Sequence, residues 1–594
     1  MKFNLLPKAI ILAAALECSL FAQARVSTAI NKEAGAQVGI IVTYKEGAMS
    51  ESHLGRMNAR GAKLHHRLNL INSGAFVVDS SMIETIAADP EVESISPDRE
   101  VKATADYAVP TAGGKTANLA GYTGAGIGVA IIDSGVLDQK DFTDSKGQSR
   151  IVYSQSFLTC SLFMTNSLTG GGGTPSRTIG AQNTGPLGSA LLCPSTRSSA
   201  SDYYGHGTHV AGLIAGNGSN STGSLYTYTI KGMAPSANII NLRVLDENGS
   251  GTDSSVIAAI EKAIALKDTY KIKIINMSLG RAIFESYNTD PLNLAVQKAW
   301  NAGIVVVVAA GNYGRNGYDV TAGYGTIAAP GNDPSVITVG SMKTNNTISR
   351  GDDTIATYSS KGPSLIDHVV KPDLVAPGNQ LDSVSCTTCT MYTATPHNRT
   401  PYAAFSKLTG TSTTYFNLSG TSMATPMVSG AAALMLQKAN SIGQSLTPDQ
   451  VKARLMKTST KSFPSSSSVY DAAANVTYVS HYDLFTVGAG YLDTVSALSS
   501  NDFAKGSAQS PIAYYDTVEK AVKIQTAANS IWGAGSTWAT NVVWGDMVLN
   551  GSNVVWGDSV VWGESCQTGF NVVWGENSPW PQSANGSFAT NGDN

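Results

Sequence analysis

Charge is scarce in this chain. Asp, Glu, Lys and Arg supply only 14% of its 594 residues, against about a quarter in an average soluble domain. The 40 basic and 43 acidic residues leave a net charge of −3, so the sequence has no basic excess for holding phosphates. A nucleic-acid-binding protein needs such an excess, and we therefore expect no nucleic-acid partner.

Cysteine is also rare, with six residues in 594. This low number excludes a small fold held together by disulfides. Gly and Pro number 59 and 22, too few for collagen or for a chain that is disordered throughout. The apolar fraction of 42% is ordinary for a protein with a sizeable core. At about 150 residues per domain, the length predicts two to four structural units.

The sequence lacks an apolar run of the ~20 residues that a membrane-spanning helix needs. The run at 9–16 has eight residues, follows Lys2 and Lys8, and precedes the small residues Ala22 and Ala24. This pattern predicts a secretory signal peptide at 1–24, cleaved after Ala24. We therefore expect a secreted protein, extracellular, periplasmic or at the cell surface, with no transmembrane segment.

The cysteine spacing leaves alternatives open. Removal of the signal peptide takes Cys18 away and leaves five cysteines, an odd number in an oxidising compartment. Cys160 and Cys193 flank a glycine-rich stretch that a disulfide between them would close. Cys386 and Cys389 have the spacing of a redox pair or of half a zinc site. No second cysteine or histidine pair completes such a site in the sequence, so a local disulfide or free thiols are favoured over a metal.

Residues 25–105 are predicted to form a small α+β unit with three strands and two helical stretches. The predicted strands are 38–44, 75–79 and 92–96, and the stretches with helical character are 53–70 and 83–88.

From 106 to 500, apolar β-branched runs alternate with helical stretches. The predicted strands are 127–132, 239–244, 272–276 and 304–308, and the predicted helices are 255–266 and 291–302. Continuously apolar strands separated by helices indicate the α/β class, with a mostly parallel sheet that carries helices on both faces. Two polar stretches, about 145–200 and 379–417, are predicted insertions in this domain.

The chain ends in a repeat. Residues 501–528 are predicted to be a linker, 529–582 hold hexapeptide repeats and 583–594 a flexible tail. Val-Val-Trp-Gly occurs four times, and the even period places every Trp on one face of an extended chain. This predicts a short β-rich repeat, either a β-meander or a hexapeptide solenoid. The Trp face binds a cell-surface or polysaccharide partner, or the Trp side chains form the repeat's own core, or the tail is a secretion or sorting signal.

Three segments carry the residues of acyl-transfer chemistry. Asp133 ends an apolar strand and is followed by a small-residue turn, which places it at the carboxyl edge of the predicted sheet. His206 lies in Gly-His-Gly-Thr-His, where glycines allow close approach at the start of a helix, and His209 is a supporting residue one turn later. Ser422 is the serine of the stretch Gly-Thr-Ser-Met-Ala-Thr-Pro and lies at the positive end of a predicted helix.

These residue types form a nucleophilic system. A serine hydroxyl becomes a good nucleophile when a histidine removes its proton, and the histidine needs a carboxylate to fix its tautomer. Asp133, His206 and Ser422 supply these roles, with His206 as base and then acid. A second Gly-Thr-Ser ends at Ser412 but lacks the Met-Ala-Thr-Pro continuation, so we interpret Ser412 as an ordinary loop residue.

In this order and with these flanking residues, the three segments resemble the subtilisin family of serine proteases. The resemblance spans about 120–500, and 25–105 resembles the family's inhibitory propeptide. It implies a subtilisin-like fold and a serine endopeptidase that is made as a zymogen and hydrolyses polypeptide substrates. The chain's own propeptide would be an intramolecular inhibitor, cleaved off near 100–108. A separate partner-binding domain is the alternative interpretation of 25–105.

The resemblance also assigns the oxyanion and substrate-binding residues. It identifies Asn312, in Ala-Ala-Gly-Asn, as the side-chain donor to the oxyanion, beside the backbone N–H of Ser422. The substrate-binding residues are Gly249, Ser250 and Gly251 at a pairing edge, Ser278, Leu279 and Gly280 at one wall of the P1 pocket, Ala309, Ala310 and Gly311 at the other wall, and Ala328 at the base. None of them is acidic, so we expect broad specificity with an apolar P1 residue.

The chemistry requires no cofactor. Structural calcium is common in the family, and Asp141 with the loop 217–224 has oxygens for it, although the loop departs from the family's pattern. Two other interpretations stay open. The chain is a secreted binding protein with an inactive enzyme-like domain and a binding Trp repeat, or it is a specialised processing enzyme that the tail localises.

Overall fold

The computed structural model describes most of the chain. The described residues are 24–27, 30, 36–45, 51–98, 100–103, 111–158, 198–345, 347–471, 474–516, 521–532 and 593. The predicted signal peptide up to residue 23, the glycine-rich part of the first insertion, Cys160, Cys193 and Cys566, and the repeat from residue 533 lie outside these ranges.

The N-terminal unit is a small sheet with two helices. Its elements are β1 (Arg25–Val26), β2 (Gln37–Tyr44), α1 (Glu51–Ala59), β3 (Lys63–Leu68), β4 (Ser73–Asp79), α2 (Ile83–Ala87) and β5 (Val92–Pro97). The strand order is β1-β5-β2-β4-β3, and all neighbours are antiparallel except β1 and β5.

One prediction for this unit was wrong in part. The stretch 53–70 is helical only up to Ala59, and its second half is the strand β3. Gly61 has a left-handed backbone with φ of 79°, which ends the helix. The residues that follow then pair with β4, and this pairing decides their conformation.

The second unit surrounds a large sheet. Strand β6 (Glu100–Ala103) follows the N-terminal unit in the chain, and the first elements of the second unit are α3 (Gly114–Leu119), β7 (Gly128–Asp133), β8 (Ile151–Ser156), α4 (His206–Ala215), β9 (Asn238–Arg243), β10 (Ser250–Thr252), α5 (Asp253–Leu266), β11 (Ile272–Met277), β12 (Leu279–Gly280), α6 (Pro291–Asn301), β13 (Val305–Ala309), α7 (Tyr318–Thr321), β14 (Ile337–Lys343), β15 (Thr354–Ile355) and β16 (Leu374–Asn379).

The later elements complete the unit. They are β17 (Leu381–Val384), α8 (Thr390–Ala394), β18 (Arg399–Pro401), β19 (Thr411–Leu418), α9 (Thr421–Ser441), α10 (Pro448–Thr458), β20 (Ser466–Asp471), β21 (Val476–His481), α11 (Leu484–Val487), α12 (Thr494–Ser499), β22 (Ile512–Asp516) and β23 (Ala521–Gln525).

The main sheet is mostly parallel, as the sequence predicts. Its order is β8-β9-β7-β11-β13-β14, with β15 and β16 both paired to β14, and only the β14–β15 pair is antiparallel. Two helix pairs, α4 with α9 and α5 with α6, pack against the strands. Because the strands are covered on both sides, they are apolar at nearly every position, and all of β13 is buried.

The second predicted insertion has structure of its own. Strands β17, β19 and β18 form a small antiparallel sheet. Ser412 lies in β19, not in a loop, and is buried. Its hydroxyl oxygen accepts the backbone N–H groups of Thr414 at 3.1 Å and Tyr415 at 3.0 Å. The interpretation of Ser412 as a loop residue was therefore wrong, and its role in this sheet is structural.

The segment predicted as a linker packs against the second unit. The N–H of Val370 donates to the carbonyl of Pro511 at 2.8 Å, and the ammonium of Lys452 donates to Ser510 at 2.9 Å. Trp532, from the first hexad, is buried and donates its indole N–H to Gln509 at 2.7 Å. Among the described residues, no helix combines the length and apolarity needed to cross a bilayer.

Candidate active site

A buried Asp–His pair stands at the carboxyl edge of the main sheet. Asp133 ends β7 and His206 begins α4. The His206 Nδ1 lies 2.8 Å from Asp133 Oδ1, and the two side chains are 0% and 1% exposed. Since an ionised carboxylate can only accept a hydrogen bond, Nδ1 carries the hydrogen and Nε2 is the basic nitrogen.

Glycine allows this close approach. A Cβ at Gly207 would overlap the carbonyl oxygen of Gly135 and lie 3.2 Å from the Cβ of Asp133. Any side chain there would push the start of α4 away from the end of β7. The glycine after His206 is therefore needed for the contact between His206 and Asp133.

Asp202 anchors the loop before His206, and the sequence analysis did not identify it. Its carboxylate accepts the backbone N–H groups of Tyr204, Gly205 and Thr208 at 3.0, 2.7 and 2.8 Å, and the Ser134 hydroxyl at 3.0 Å. Burial raises its pKa above the ordinary value. The only signal in the sequence was an acidic residue shortly before a helix that has glycine at its N-cap.

A disulfide lies beside the same loop. Cys386 and Cys389 are bonded, as one of the predicted alternatives has it. The following backbone N–H groups, of Thr390 and Met391, each donate at 3.0 Å to the carbonyls of Tyr203 and Tyr204. The bridged segment is therefore fastened to the residues that lead into His206.

His209 supports the site from one turn further along α4. Its Nε2 lies 3.0 Å from the carbonyl oxygens of Leu381 and Phe416, so this nitrogen carries a hydrogen. Burial lowers the pKa of His209 to about 3. His209 is therefore a neutral residue that ties α4 to β17 and β19.

Ser422 lies in the first turn of α9 and is buried. Its hydroxyl donates to the carbonyl oxygen of Ser278 at 3.1 Å, and the Ser278 hydroxyl donates back to the Ser422 carbonyl at 2.7 Å. The amide of Asn276 donates to the Ser278 hydroxyl at 3.0 Å. These bonds fix the start of α9 to the turn between β11 and β12.

Asn312 is oriented by Thr421. The Asn312 Oδ1 accepts both the backbone N–H and the hydroxyl of Thr421, each at 2.9 Å. Because both donors meet the oxygen, the amide orientation is settled and Nδ2 is left to donate elsewhere. The Thr421 hydroxyl also accepts the N–H of Gly311 at 3.2 Å. Thr421 was not identified as a site residue from the sequence.

The two predicted walls of the P1 pocket meet at its predicted base. The N–H of Ala328 donates to the carbonyl of Ala310 at 2.8 Å. A Cβ on Gly280 or Gly311 would lie 3.1 or 3.2 Å from the Cβ of Ala328. The segments containing Leu279 and Ala309 are thus brought together around small apolar groups.

The predicted pairing edge is occupied by the chain itself. Strand β6 lies between β10 and β12 and is antiparallel to both. Val101 is opposite Gly251, and Lys102 is opposite both Ser250 and Gly280. Gly249 precedes β10 with φ of 75°, a conformation that favours glycine.

The N-terminal unit contacts the second unit through a helix start. The Asp98 carboxylate accepts the N–H and the hydroxyl of Ser254 at 2.8 and 2.5 Å, in the first turn of α5. The Ser96 hydroxyl donates to Glu285 at 2.9 Å. Burial, helped by the charge of Asp253, raises the pKa of Asp98 to about 7.

Asp141, the residue considered for calcium, has hydrogen bonds from the protein to both of its carboxylate oxygens. One carboxylate oxygen accepts the N–H of Asn220 at 2.6 Å and the other the hydroxyl of Tyr415 at 2.7 Å. Burial raises the pKa of Asp141. No group of three acidic, histidine or cysteine side chains suited to a metal occurs in the part of the chain that the structure describes.

Comparisons with known proteins agree with this geometry. The profile described as the subtilase family matches residues 124–481. The serine protease AprX of Bacillus subtilis is 34% identical over 424 residues, covering 70% of this chain and 80% of that protein. Subtilisin E of the same species is 31% identical over 407 residues, covering 68% and 80%. Fervidolysin from Fervidobacterium pennivorans shares the fold with a TM-score of 0.54 at 19% identity, covering 83% of this chain and 64% of that one.

Proposed function

The chain belongs to the subtilase family of serine-type endopeptidases, and we propose that it is a secreted member, made as a zymogen, that cuts peptide bonds through Ser422. The observation that carries this proposal is the buried contact of 2.8 Å between His206 and Asp133, at the sheet edge where α9 presents Ser422. Acyl transfer through these side chains uses no cofactor.

In the proposed reaction, the Ser422 oxygen attacks the carbonyl carbon while His206 Nε2 takes the hydroxyl proton. The hydroxyl must turn away from the Ser278 carbonyl to do so. Asp133 keeps the hydrogen on Nδ1 and stabilises the imidazolium that forms. The imidazolium then gives its proton to the leaving amine, and the peptide bond breaks to leave an acyl-enzyme. Water hydrolyses this ester by the same steps, with His206 again as base.

Two hydrogen-bond donors stabilise the negative charge that develops on the carbonyl oxygen of the substrate. Thr421 holds the oxygen of the Asn312 amide, so Nδ2 is oriented in advance as one donor. The backbone N–H of Ser422, in the first turn of α9, is the second. Donors that are already in place need no reorganisation in the transition state, which is why such groups contribute strongly to turnover.

Small apolar groups set the proposed P1 preference. Ala328, Gly280 and Gly311 meet without a charged side chain among them, so a basic P1 residue would find no partner. We propose broad specificity with an apolar P1 residue. β10 and β12 bind substrate backbone between them as they bind β6, by adding a strand.

The register of β6 points to the maturation bond. Ala103, the last residue of β6, is opposite Leu279. A substrate strand that continues in this antiparallel register has its next residue opposite Ser278, whose carbonyl is 3.1 Å from the Ser422 hydroxyl. The residue that follows Ala103 in the sequence is Thr104, so Thr104 is the proposed P1 residue of the first cut.

We therefore propose that the chain cuts itself between Thr104 and Ala105 and that 25–104 is its inhibitory propeptide. The side chain of Thr104 is small and uncharged, which suits a pocket lined by small uncharged groups. A signal peptide at 1–24 and a tail that binds a surface polymer or sorts the protein complete the proposal.

Intact mass and N-terminal sequencing test this function. Wild type, Ser422→Ala and the control variant Ser412→Ala, which changes the serine of the second Gly-Thr-Ser stretch, are secreted from the same host. We expect wild type and Ser412→Ala to begin at Ala105 and to hydrolyse peptides, and Ser422→Ala to keep the propeptide. If Ser422→Ala matures like wild type, another protease makes the cut, and if it also hydrolyses peptides Ser422 is not the nucleophile.

A further inference from the structure

Asp593, the last described residue, is buried in a polar pocket of the second unit. Its side chain is 0% exposed. One carboxylate oxygen accepts Arg315 Nη2 at 2.5 Å and the Thr357 hydroxyl at 2.6 Å, and the other accepts the Thr357 N–H at 2.7 Å. Asn379 bonds the Asp593 main chain twice, from its Nδ2 to the carbonyl and from the Asp593 N–H to its Oδ1, both at 3.2 Å. The pocket therefore binds both the side chain and the backbone of one aspartate.

Contacts other than those with Asp593 hold the Arg315 side chain of this pocket in place. Arg315 Nε donates to the Thr357 hydroxyl at 2.7 Å, and its guanidinium lies over the Tyr478 ring, 5.2 Å from the centroid. A second bond at 3.4 Å joins Arg315 to Asp471. These contacts hold the cation in place, and a held guanidinium forms strong charge-assisted bonds to a carboxylate.

This pocket borders the active site. Arg315 follows Asn312 by three residues. Asn379 ends β16 next to Gly378, whose carbonyl accepts the N–H of Gly420 at 2.8 Å, two residues before Ser422. The strands that pair with β6, β10 and β12, contribute nothing to the pocket. Since β6 fills the acyl side of the cleft, we place the pocket on the leaving-group side.

Charge favours the chain's own tail as the occupant. After Lys523 the sequence has no basic residue and five acidic ones. A basic pocket beside the cleft attracts such a segment.

We propose that Arg315, Thr357 and Asn379 form a docking site for the chain's own acidic C-terminus, which reaches the leaving-group side of the cleft through Asp593. The placement beside the reacting bond rests on the proposed function, whereas the docking itself does not. The docked end competes with substrate residues that extend beyond the scissile bond.

Hydrogen exchange of the full chain tests the docking. The Ser422→Ala background prevents self-cleavage, and the readout is the exchange of the peptide that contains the Thr357 amide. We expect Asp593→Ala to speed this exchange by at least about tenfold, because a bond to a charged acceptor is lost. Asp558→Ala removes the same charge elsewhere in the tail and should have no effect. Thr357→Val, on the pocket side, should weaken protection as Asp593→Ala does.

Exchange at the wild-type rate in Asp593→Ala, or equal acceleration by Asp558→Ala, would overturn the docking site. Because this readout needs no activity, its failure is distinct from a failure of the proposed function. The placement is tested by kinetics on active protein whose mass still includes residue 594. Asp593→Ala should lower KM for peptides extending past the scissile bond and leave KM unchanged for substrates ending there. An unchanged KM for both would overturn the placement.

Discussion

At the scale of single residues, the orientation of Asn312 depends on Thr421. Both Thr421 donors meet the amide oxygen and fix its rotation. On the proposed function, Thr421 is a positioning residue that acts through its bonds to Asn312. Its contribution should appear in turnover, because the oxyanion forms only in the transition state.

We expect Asn312→Ala to lower kcat by about 10²–10³-fold with little change in KM. Thr421→Val, which keeps the backbone donor but loses the hydroxyl, should lower kcat by about tenfold, and Thr421→Ser should restore it. Steady-state kinetics on a peptide substrate measure all three. A raised KM with kcat unchanged would assign Asn312 to ground-state binding instead.

The residues that the sequence predicts at this scale are those that follow a distinctive local pattern. Asp133 and His206 stand at a strand end and a glycine-flanked helix start, and the structure brings them together. Asp202 has no such pattern, and Thr421 lies within the Ser422 motif without a signal for its own role. They act through bonds that depend on the fold around them, and only the folded structure shows which partners those bonds reach.

At the scale of elements, the segment that follows the bridge at 386–389 is hydrogen-bonded to the loop before His206. We expect the double variant Cys386→Ser/Cys389→Ser to lose about 2 kcal/mol of stability, since the bridge closes only a short loop. Its kcat should fall several-fold because the loop positions His206. Thermal unfolding and peptide kinetics measure the two effects.

Dithiothreitol supplies the control for this prediction. With Cys160, Cys193 and Cys566 replaced by Ser in both proteins, it should reproduce the loss in the chain that keeps Cys386 and Cys389 and change nothing in the chain that lacks them. A double variant with wild-type stability and kcat would show that the backbone bonds to Tyr203 and Tyr204 hold the loop alone.

Asp98 makes the contact between the two units dependent on pH. Its pKa of about 7 in the contact exceeds the ordinary value of 3.8, so on the proposed function the contact binds a proton more tightly than the released propeptide does. The affinity of the cleaved propeptide should therefore be highest below about pH 4 and fall as the pH rises to 7. Size-exclusion chromatography of the cleaved complex at pH 5 and pH 7 measures the fraction that stays bound.

Asp98→Asn should keep the propeptide bound equally at both pH values, because the amide mimics the protonated acid. Glu84→Gln, an exposed acid on α2, is the matched control and should behave as wild type. Tighter binding at pH 7 than at pH 5 in wild type would contradict the assignment to Asp98.

Elements with one strong pattern are predictable here, and those decided by distant pairing are not. The strand β13 is apolar throughout and was predicted nearly to its bounds. The strand β3 was missed because only its bonds to β4 make it a strand. The sheet of β17, β18 and β19 lies within a polar stretch, whose composition gave no sign of it.

At the scale of the whole molecule, the described residues between 501 and 532 pack as part of the second unit. Trp532 is buried with Tyr491 and Phe485 in one apolar cluster. We expect Trp532→Ala to cost about 3–5 kcal/mol of unfolding free energy, measured by denaturant titration in the Ser422→Ala background. Tyr514→Ala removes an aromatic ring that is 42% exposed and should cost far less.

Truncation separates the packed part of this segment from the rest. A chain ending after residue 532, which also loses the bonds of Asp593 to Arg315 and Thr357, should unfold at a slightly lower denaturant midpoint than wild type, and one ending after residue 500 should be strongly destabilised. Equal midpoints for the two would show that 501–532 contributes no stability. The sequence predicts a linker at 501–528 because the segment is mostly polar. Its few apolar residues form no pattern that would indicate packing.

The place of β6 between β10 and β12 has a consequence for which proteins can be digested. If the proposed cut releases β6, the edges of β10 and β12 face each other across an open gap, and each edge has unsatisfied backbone groups. Only a segment whose backbone N–H and C=O groups are unpaired can fill that gap. A residue that is hydrogen-bonded in a helix or sheet must therefore first lose those backbone bonds. The rate at which a folded protein is cut then follows the free energy of its local unfolding. The enzyme would thus discriminate among its targets by their stability before it discriminates by their side chains.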